Sequence, residues 1–397
     1  MSDFKMLLPN DVEFILGKMK EAGYLAHVVG GSVRDSFIGR ELGDFDITTN
    51  ALPEETKTVF LDYRTVDTGI KHGTVTLVLG GVPYEITTYR VDGDYKDNRH
   101  PDSVTFTACL EEDLARRDFT VNAMAYNPES GLSDPFNGSL DARSRLIRAV
   151  GDPYKRFDED ALRILRALRF AAVLGFDIER NTAEAVVNRS HLLGSISKER
   201  VYTELKKLVM GTDATRILSE YSAVISPLIG GLKISRLPEK ALYDRADIYA
   251  RFASLFLLNS DTPSEDSERA FTELKTDKLT RSRVSMALDA YGRVSFLDTK
   301  AALFTLARYG ETVTRDALNL GILVGKFVDS EARTLDSAID SGIPYTVSGL
   351  QVRGGDLAAA GIKGEKIGEA LVALLYAVIE GKTENTKEML IEYLKKL

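Results

Sequence analysis

The chain has 397 residues, enough for two to four domains rather than one core. A hydrophobic share of 44% and a charged share of 28% are ordinary for a globular protein, and no apolar run is long enough to cross a bilayer. The net charge of −8 argues against a general nucleic-acid coat, the single cysteine, Cys109, excludes an internal disulfide and any multi-cysteine zinc site, and four scattered histidines (His27, His72, His100, His191) argue against a His-Asp phosphohydrolase centre in the C-terminal half.

The first residues, Met1-Ser2-Asp3-Phe4-Lys5-Met6, lack the basic start, apolar centre and small-residue cleavage site of a secretory signal, so a cytoplasmic address is expected. Residues 25–29 predict a short buried strand. Gly30-Gly31 predicts a turn whose N–H groups can approach an anion, and Ser32-Val33-Arg34-Asp35 a helix start. Asp44 and Asp46 fall on a predicted strand over residues 44–48. Strand alternation points both carboxylates the same way, where they can share hard divalent cations through oxygen ligands. A turn followed by a solvated acidic strand edge is the plainer reading of each half. Together, in this order, they outline a metal-dependent nucleotidyl transferase.

Residues 73–89 predict a β-hairpin around Gly80-Gly81. Glu85 lies on its second strand, with Thr87 and Tyr89 on the same face. If that strand neighbours the Asp44/Asp46 strand, Glu85 completes a three-carboxylate site; otherwise it is a surface residue on a half-exposed strand. Further on, Arg116-Arg117-Asp118 precedes Asn122 by four residues, supplying guanidinium groups for a triphosphate and polar groups for a ribose. A solvated helix start explains the same residues without function. Cys109 reads as a small half-buried hydrophobe.

From about residue 151 the periodicity is helical, with Leu162, Leu165, Leu168 and Ala172 forming an apolar stripe. Asp160 and Arg163 are expected as helix neighbours at i and i+3, with Arg166 continuing along the polar side. This is either a salt-bridged face or a recognition pair. In the second case the carboxylate accepts from an exocyclic amino group and the guanidinium donates to the adjacent ring nitrogen, a match for cytosine and adenine and a mismatch for uracil and guanine. Arginines and lysines between residues 143 and 169 suit a specific RNA partner. Breaks at Gly211-Thr212-Asp213, at residues 261–267 and at Ser341-Gly342-Ile343-Pro344 read as linkers or helix-helix turns.

With these residues in place, the sequence resembles the class II CCA-adding enzymes, the tRNA nucleotidyltransferases of the DNA polymerase β superfamily that also includes bacterial poly(A) polymerases. The motifs that carry the resemblance are Gly30-Gly31-Ser32-Val33-Arg34-Asp35, Asp44-Phe45-Asp46, Arg116-Arg117-Asp118-Phe119-Thr120-Val121-Asn122-Ala123, Asp134-Pro135-Phe136-Asn137-Gly138 with Ile147-Arg148-Ala149-Val150-Gly151, and Glu159-Asp160-Ala161-Leu162-Arg163. Near the end, Gly354-Gly355-Asp356-Leu357 and the segment through Gly381 look like the family's bacterial tail, with Lys363 and Glu365 where prolines are usual.

The resemblance implies an α+β chain: a polymerase-β-like nucleotidyltransferase head with a mixed sheet and helices (1–150), then an all-helical neck carrying the base-reading helix (151–210), body (211–340) and tRNA-binding tail (341–397). It implies that Asp44 and Asp46 hold Mg²⁺ with Glu85 as third carboxylate, that Gly31, Arg34 and Arg117 contact the incoming nucleotide, that Asp160 and Arg163 read its base, and that Arg166 and Arg169 assist at the phosphates. The implied substrates are CTP, ATP and tRNA, gripped at acceptor stem and elbow, with pyrophosphate released. Residues 90–101 look like the flexible loop that CC-adding members lack, with His100 in place of a more typical Arg, which disfavours CC-only addition. Adding A alone and poly(A) synthesis stay open at this point. A small-molecule nucleotidyltransferase is opposed by the base-reading helix and long helical C-terminal part, and a catalytically dead RNA-binding scaffold by the carboxylates at 44, 46 and 85.

Overall fold

The computed structural model describes residues 4–93 and 104–396. Most of the flexible-loop segment, including His100, lies outside the described residues. The chain divides into two compact units, Met1–Ile217 and Leu218–Leu397.

The first unit is α+β. Its strands and helices run α1 (Asn10–Glu21), β1 (Ala26–Val29), α2 (Gly31–Phe37), β2 (Asp46–Thr49), α3 (Pro53–Val59), β3 (Arg64–Gly69), β4 (Thr74–Leu79), β5 (Val82–Thr88), β6 (Arg90–Asp92), β7 (Val104–Phe106), α4 (Leu110–Ala115), β8 (Ala125–Asn127) and β9 (Gly131–Ser133). Seven strands form one sheet in the order β3-β4-β5-β2-β1-β8-β9. All neighbours pair antiparallel except β2 and β5, which run parallel. The β4–β5 hairpin turns on Gly80 and Gly81, both at positive φ (55° and 88°), the conformation a two-residue primed turn requires.

Strand alternation sorts this sheet into two faces. Val28, Ile47, Leu77 and Ile86 pack with Val12, Ile15 and Met19 of α1 into one core. Val29 and Ala125 belong to a second, smaller cluster with Leu114, Ala123 and Val150 on the other face. Ile47 is buried in the first core, so its neighbours Asp46 and Thr48 face the second side, where the site forms.

The predicted strand over residues 44–48 starts later than its sequence suggests: β2 begins at Asp46, and Asp44 precedes the ladder. Asp46 opposes Val29 at the end of the β1 register, which leaves no partner for residues further back. Cys109, expected half-buried, is exposed.

Beyond the sheet the first unit continues through α5 (Gly138–Arg143), β10 (Leu146–Ile147), α6 (Pro153–Glu159), α7 (Leu162–Leu174), β11 (Asp177–Ile178), α8 (Arg180–Arg189) and α9 (Lys198–Val209). Leu162, Leu165, Leu168 and Ala172 are buried on α7, as the stripe predicts, and α7 packs on α9. One expectation fails here. Asp160 is not on the helix with Arg163 but in an extended break between α6 and α7 (φ −137°, ψ 101°). Its carboxylate explains the break: Oδ1 accepts from the Leu162 N–H at 3.0 Å, satisfying a donor that the helix start leaves without a carbonyl.

The second unit is all helical from Ser222–Ile225 to Lys387–Leu394. Its core gathers Leu303, Leu306, Ala317, Leu335, Leu350, Leu374 and Leu390. The stretch Thr299–Leu323 is two helices broken at Gly310 (φ 73°, ψ 166°). The polar run at residues 261–267 is only briefly a turn, since Pro263 opens the helix Pro263–Glu273, a position where a missing N–H costs nothing. No described helix is long and apolar enough to cross a membrane.

Candidate active site

Gly30 joins β1 to α2 at φ 76°, ψ −127°, a region that L side chains rarely adopt. A Cβ there would stand 3.1 Å from Arg117 Nη1, and one on Gly31 would stand 3.6 Å from Arg34 Nη2. The first distance is tighter than ordinary packing and the second is not, so it is the bare Gly30 that lets the Arg117 guanidinium close against the turn before α2, whose first N–H groups have no intrahelical carbonyl.

Asp44 and Asp46 lie beside this turn, both exposed. Crowding around the Asp46 carboxyl pushes its pKa above the usual range, Arg117 draws it down, and Asp44 pushes it up again. The Asp44 and Asp46 charges thus act on one another. Among the described residues no hydrogen bond or ion pair engages either carboxylate, so this pair of hard oxygen donors fits a divalent cation. Glu85 is exposed on β5, and the parallel register that matches Ile47 with Ile86 places it next to Asp46 in the sheet. The neighbouring strand is therefore the expected one. Even so, no group of three or more metal-ligating side chains converges among the described residues, so the three-carboxylate cluster is not formed. The reason is the late start of β2: Asp44 is off the sheet, and alternation does not align it with the other two.

Arg117 follows α4. Its Nη2 lies 3.7 Å from Asp113 Oδ2, while its Nε is buried without a hydrogen-bond partner. Burial lowers its pKa, and Asp113 and Asp46 oppose that shift. Arg34 is buried: Nη1 donates to Asn122 Oδ1 at 2.6 Å, and Nε and Nη2 hold Asp35 at 2.9 and 3.0 Å.

Across from these groups stands α7. Three guanidinium groups gather on the Phe170 ring, with centroid distances of 5.2 Å for Arg34, 5.4 Å for Arg166 and 3.9 Å for Arg169. Each of the two on α7 has its own carboxylate. Arg166 Nε donates to buried Asp118 at 2.7 Å, and Arg169 Nε lies 3.1 Å from Glu204 on α9. Burial pushes the Asp118 carboxyl up, but the Arg166 charge, the Asn122 hydrogen bond and Arg163 outweigh it and hold the pKa down to about 2.

The presumed recognition pair is not paired with itself. Arg163 Nη1 bonds Glu159 at 2.7 Å and the Arg156 carbonyl at 3.2 Å, and Nη2 donates to the Arg116 carbonyl at 3.1 Å. Asp160 Oδ2 instead accepts from Arg200 of α9 at 3.2 Å. Sequence reasoning missed Asp113, Phe170, Arg200 and Glu204. Asp113 carried a signal, lying four residues before Arg117, and Phe170 lay next to Arg169 and one helical turn after Arg166; Arg200 and Glu204 could be placed only once α9 packed on α7.

Comparison with known proteins places the chain in a family. Residues 26–148 match the poly A polymerase head domain family, residues 175–221 an RNA- and SrmB-binding site of polymerase A, and residues 250–394 tRNA nucleotidyltransferase domain 2. The CCA-adding enzyme of Lactobacillus delbrueckii subsp. bulgaricus is 37% identical, covering 96% of both chains. That of Geobacillus stearothermophilus is 38% identical, covering 96% of this chain and 95% of the relative. The crystal structure of the Bacillus stearothermophilus CCA-adding enzyme in complex with CTP superposes with a TM-score of 0.82 at 33% identity, covering 98% of each chain.

Proposed function

This chain belongs to the family of CCA-adding enzymes, and we propose from that premise that it adds CCA to tRNA 3′ ends without a template, using CTP and ATP and releasing pyrophosphate. The observation that carries the proposal is the juxtaposition of the Gly30 turn, Arg117 and the free carboxylates of Asp44 and Asp46. In this reading the 3′-hydroxyl attacks the α-phosphorus in line and the pyrophosphate departs. Mg²⁺, held by Asp44 and Asp46, supplies positive charge to the reacting oxygens when bound. Glu85, on the strand beside Asp46, would act on that pair through its charge rather than as a third ligand.

The chain's own cations do the remaining binding. Arg117 and the N–H groups around Gly31 receive the triphosphate, and Arg34, locked by Asp35 and Asn122, supplies charge without losing side-chain freedom on binding. Arg166 and Arg169, each held by its own carboxylate, offer their remaining N–H groups to the phosphates from α7. Asp160 and Arg163 read the base with the acceptor and donor capacity left over from their structural bonds. Residues 1–150 act as the catalytic head, 151–210 as a neck, 211–340 as a body and 341–397 as a tail, the helical parts holding the acceptor stem and elbow of tRNA. With tRNA as substrate, the reaction is set in the cytoplasm.

The test is primer extension on tRNA transcripts ending before CCA, after C and after CC, with CTP and ATP offered singly and together. Completion of all three is expected. Extension of only the CC-ending transcript, with ATP, would replace this reading by addition of A alone, and unlimited A addition to generic RNA ends by poly(A) synthesis.

A further inference from the structure

We infer that Asp113 is a positioning residue for the incoming nucleotide, acting through Arg117; the inference rests on the reading above in which Arg117 receives the triphosphate. Asp113 sits on α4 and is completely buried. A carboxylate in that setting is strongly disfavoured unless its lone pairs are filled. They are filled from three separate elements. Oδ1 accepts from Arg116 Nε at 2.9 Å and from the Arg90 N–H at 3.3 Å. Oδ2 faces Arg117 Nη2 at 3.7 Å and the Thr48 hydroxyl at 3.3 Å. That hydroxyl also lies 3.1 Å from the Thr87 carbonyl, so its single proton is shared between the two acceptors.

Thr48 is the decisive contact. It stands two residues after Asp46 on the same face of β2, so one buried carboxylate links the arginine that meets the phosphates to the strand that carries the metal-facing Asp46. Arg117 needs such a link. Its Nε has no hydrogen-bond partner despite burial, and Nη1 lies where a Cβ on Gly30 would come within 3.1 Å, so the guanidinium runs close along the bare turn. Asp113 thus sets where the guanidinium points, and its charge offsets part of what burial costs the cation.

A merely structural Asp113, serving to hold α4 through Arg116, makes different demands on kinetics. The experiment measures kcat, KM for CTP and ATP, KM for tRNA and thermal midpoint for Asp113→Asn, Arg117→Ala and the double variant. Asp113→Asn is expected to raise both nucleotide KM values roughly tenfold, the usual scale for a residue that orients a ligand contact. The tRNA KM stays within about twofold, and in the Arg117→Ala background the same change adds less than about twofold, because the two act as one unit. Additive losses, or a change confined to tRNA KM or thermal midpoint, would overturn the inference. If Arg117→Ala leaves nucleotide KM untouched, the reading of Arg117 itself fails; if it raises KM and Asp113→Asn does not, only the role of Asp113 fails. Should Asp113→Asn not fold, Thr48→Val removes one Oδ2 contact and is expected to raise nucleotide KM about threefold. An unchanged value in folded Thr48→Val overturns the inference equally.

Discussion

At the sheet, Asp44 and Asp46 are exposed and engaged by no hydrogen bond or ion pair among the described residues, whereas around α7 the carboxylates are matched in place: Asp118 with Arg166, Glu159 with Arg163, Asp160 with Arg200 and Glu204 with Arg169. The two sides of one site therefore hold charge in opposite ways. On the sheet side the negative charge is left for a ligand to neutralise, so the protein gains little stability from it. On the helix side the charges neutralise each other, which fixes the geometry of the arginines before any nucleotide arrives. The first arrangement concentrates function in a few atoms that folding does not need; the second makes function and stability share the same atoms.

The sharpest break in this comparison comes from Asp46→Ala. Loss of one of two metal-facing carboxylates is expected to lower nucleotide incorporation on the order of 10³-fold or more, comparable with removing a principal electrostatic group from an active site. Thermal midpoint and tRNA affinity, read by scanning fluorimetry and filter binding, should stay essentially unchanged. A variant that incorporates CTP at the parent rate would remove the metal assignment altogether.

The opposite behaviour is expected at Asp118. Asp118→Asn leaves the half-buried Arg166 charge without its partner, a change that costs about 2 kcal/mol for a charge-assisted hydrogen bond and should appear as a lower denaturation midpoint alongside any loss of activity. The same pair predicts an acid response. The folded pKa of Asp118 is about 2, below the ordinary 3.8, so its contribution is complete above pH 3.8 and is lost as the pH falls through 2. The amount is roughly 2 kcal/mol, measurable as the difference in acid stability between parent and Asp118→Asn.

How much of this was legible in the sequence follows the same division. The sheet side is local: Gly30-Gly31, the Asp44/Asp46 spacing and the β-hairpin are fixed by alternation and turn chemistry over a few residues, and the structure puts β5 beside β2 as the site required. What failed there was a boundary, because where a ladder begins depends on the partner strand. The helix side is not local. Asp160 and Arg163 looked like helix neighbours, but an Asp before an apolar run caps a helix at least as readily as it joins one. Its other partner, Arg200, is forty residues away in sequence, as the Asp160–Arg200 contact shows. Asp113 was hidden for a related reason: its contact with Thr48 spans two elements whose packing no spacing rule supplies.

Asp160→Ala then separates the two roles of one carboxylate. Loss of the cap should cost about 1 kcal/mol of stability. If Asp160 also accepts from the base, discrimination against UTP should fall about tenfold, the lower range for loss of one base-edge contact. Competition assays with CTP and UTP on the same tRNA measure this directly, and strict rejection of UTP by the variant would leave Asp160 with its structural roles, the helix cap and the Arg200 pair.

The smallest expected effect on activity lies where the two sides meet. Gly30→Ala forces an L residue to φ 76°, ψ −127°, outside the left-handed helical well, at a cost of about 3 kcal/mol, and brings its Cβ to 3.1 Å from Arg117 Nη1. The atom it meets is the free end of a flexible side chain rather than backbone, so Arg117 yields by tenths of an ångström and the fold survives. The atom displaced belongs to the proposed nucleotide contact and not to the Asp118–Arg166 pair. Nucleotide KM should therefore rise, about threefold for so small a misplacement, while base discrimination stays at the parent value. A Gly30→Ala enzyme that instead lost discrimination would mean that the turn and α7 move together, and the contrast between an open sheet side and a self-matched helix side would no longer hold.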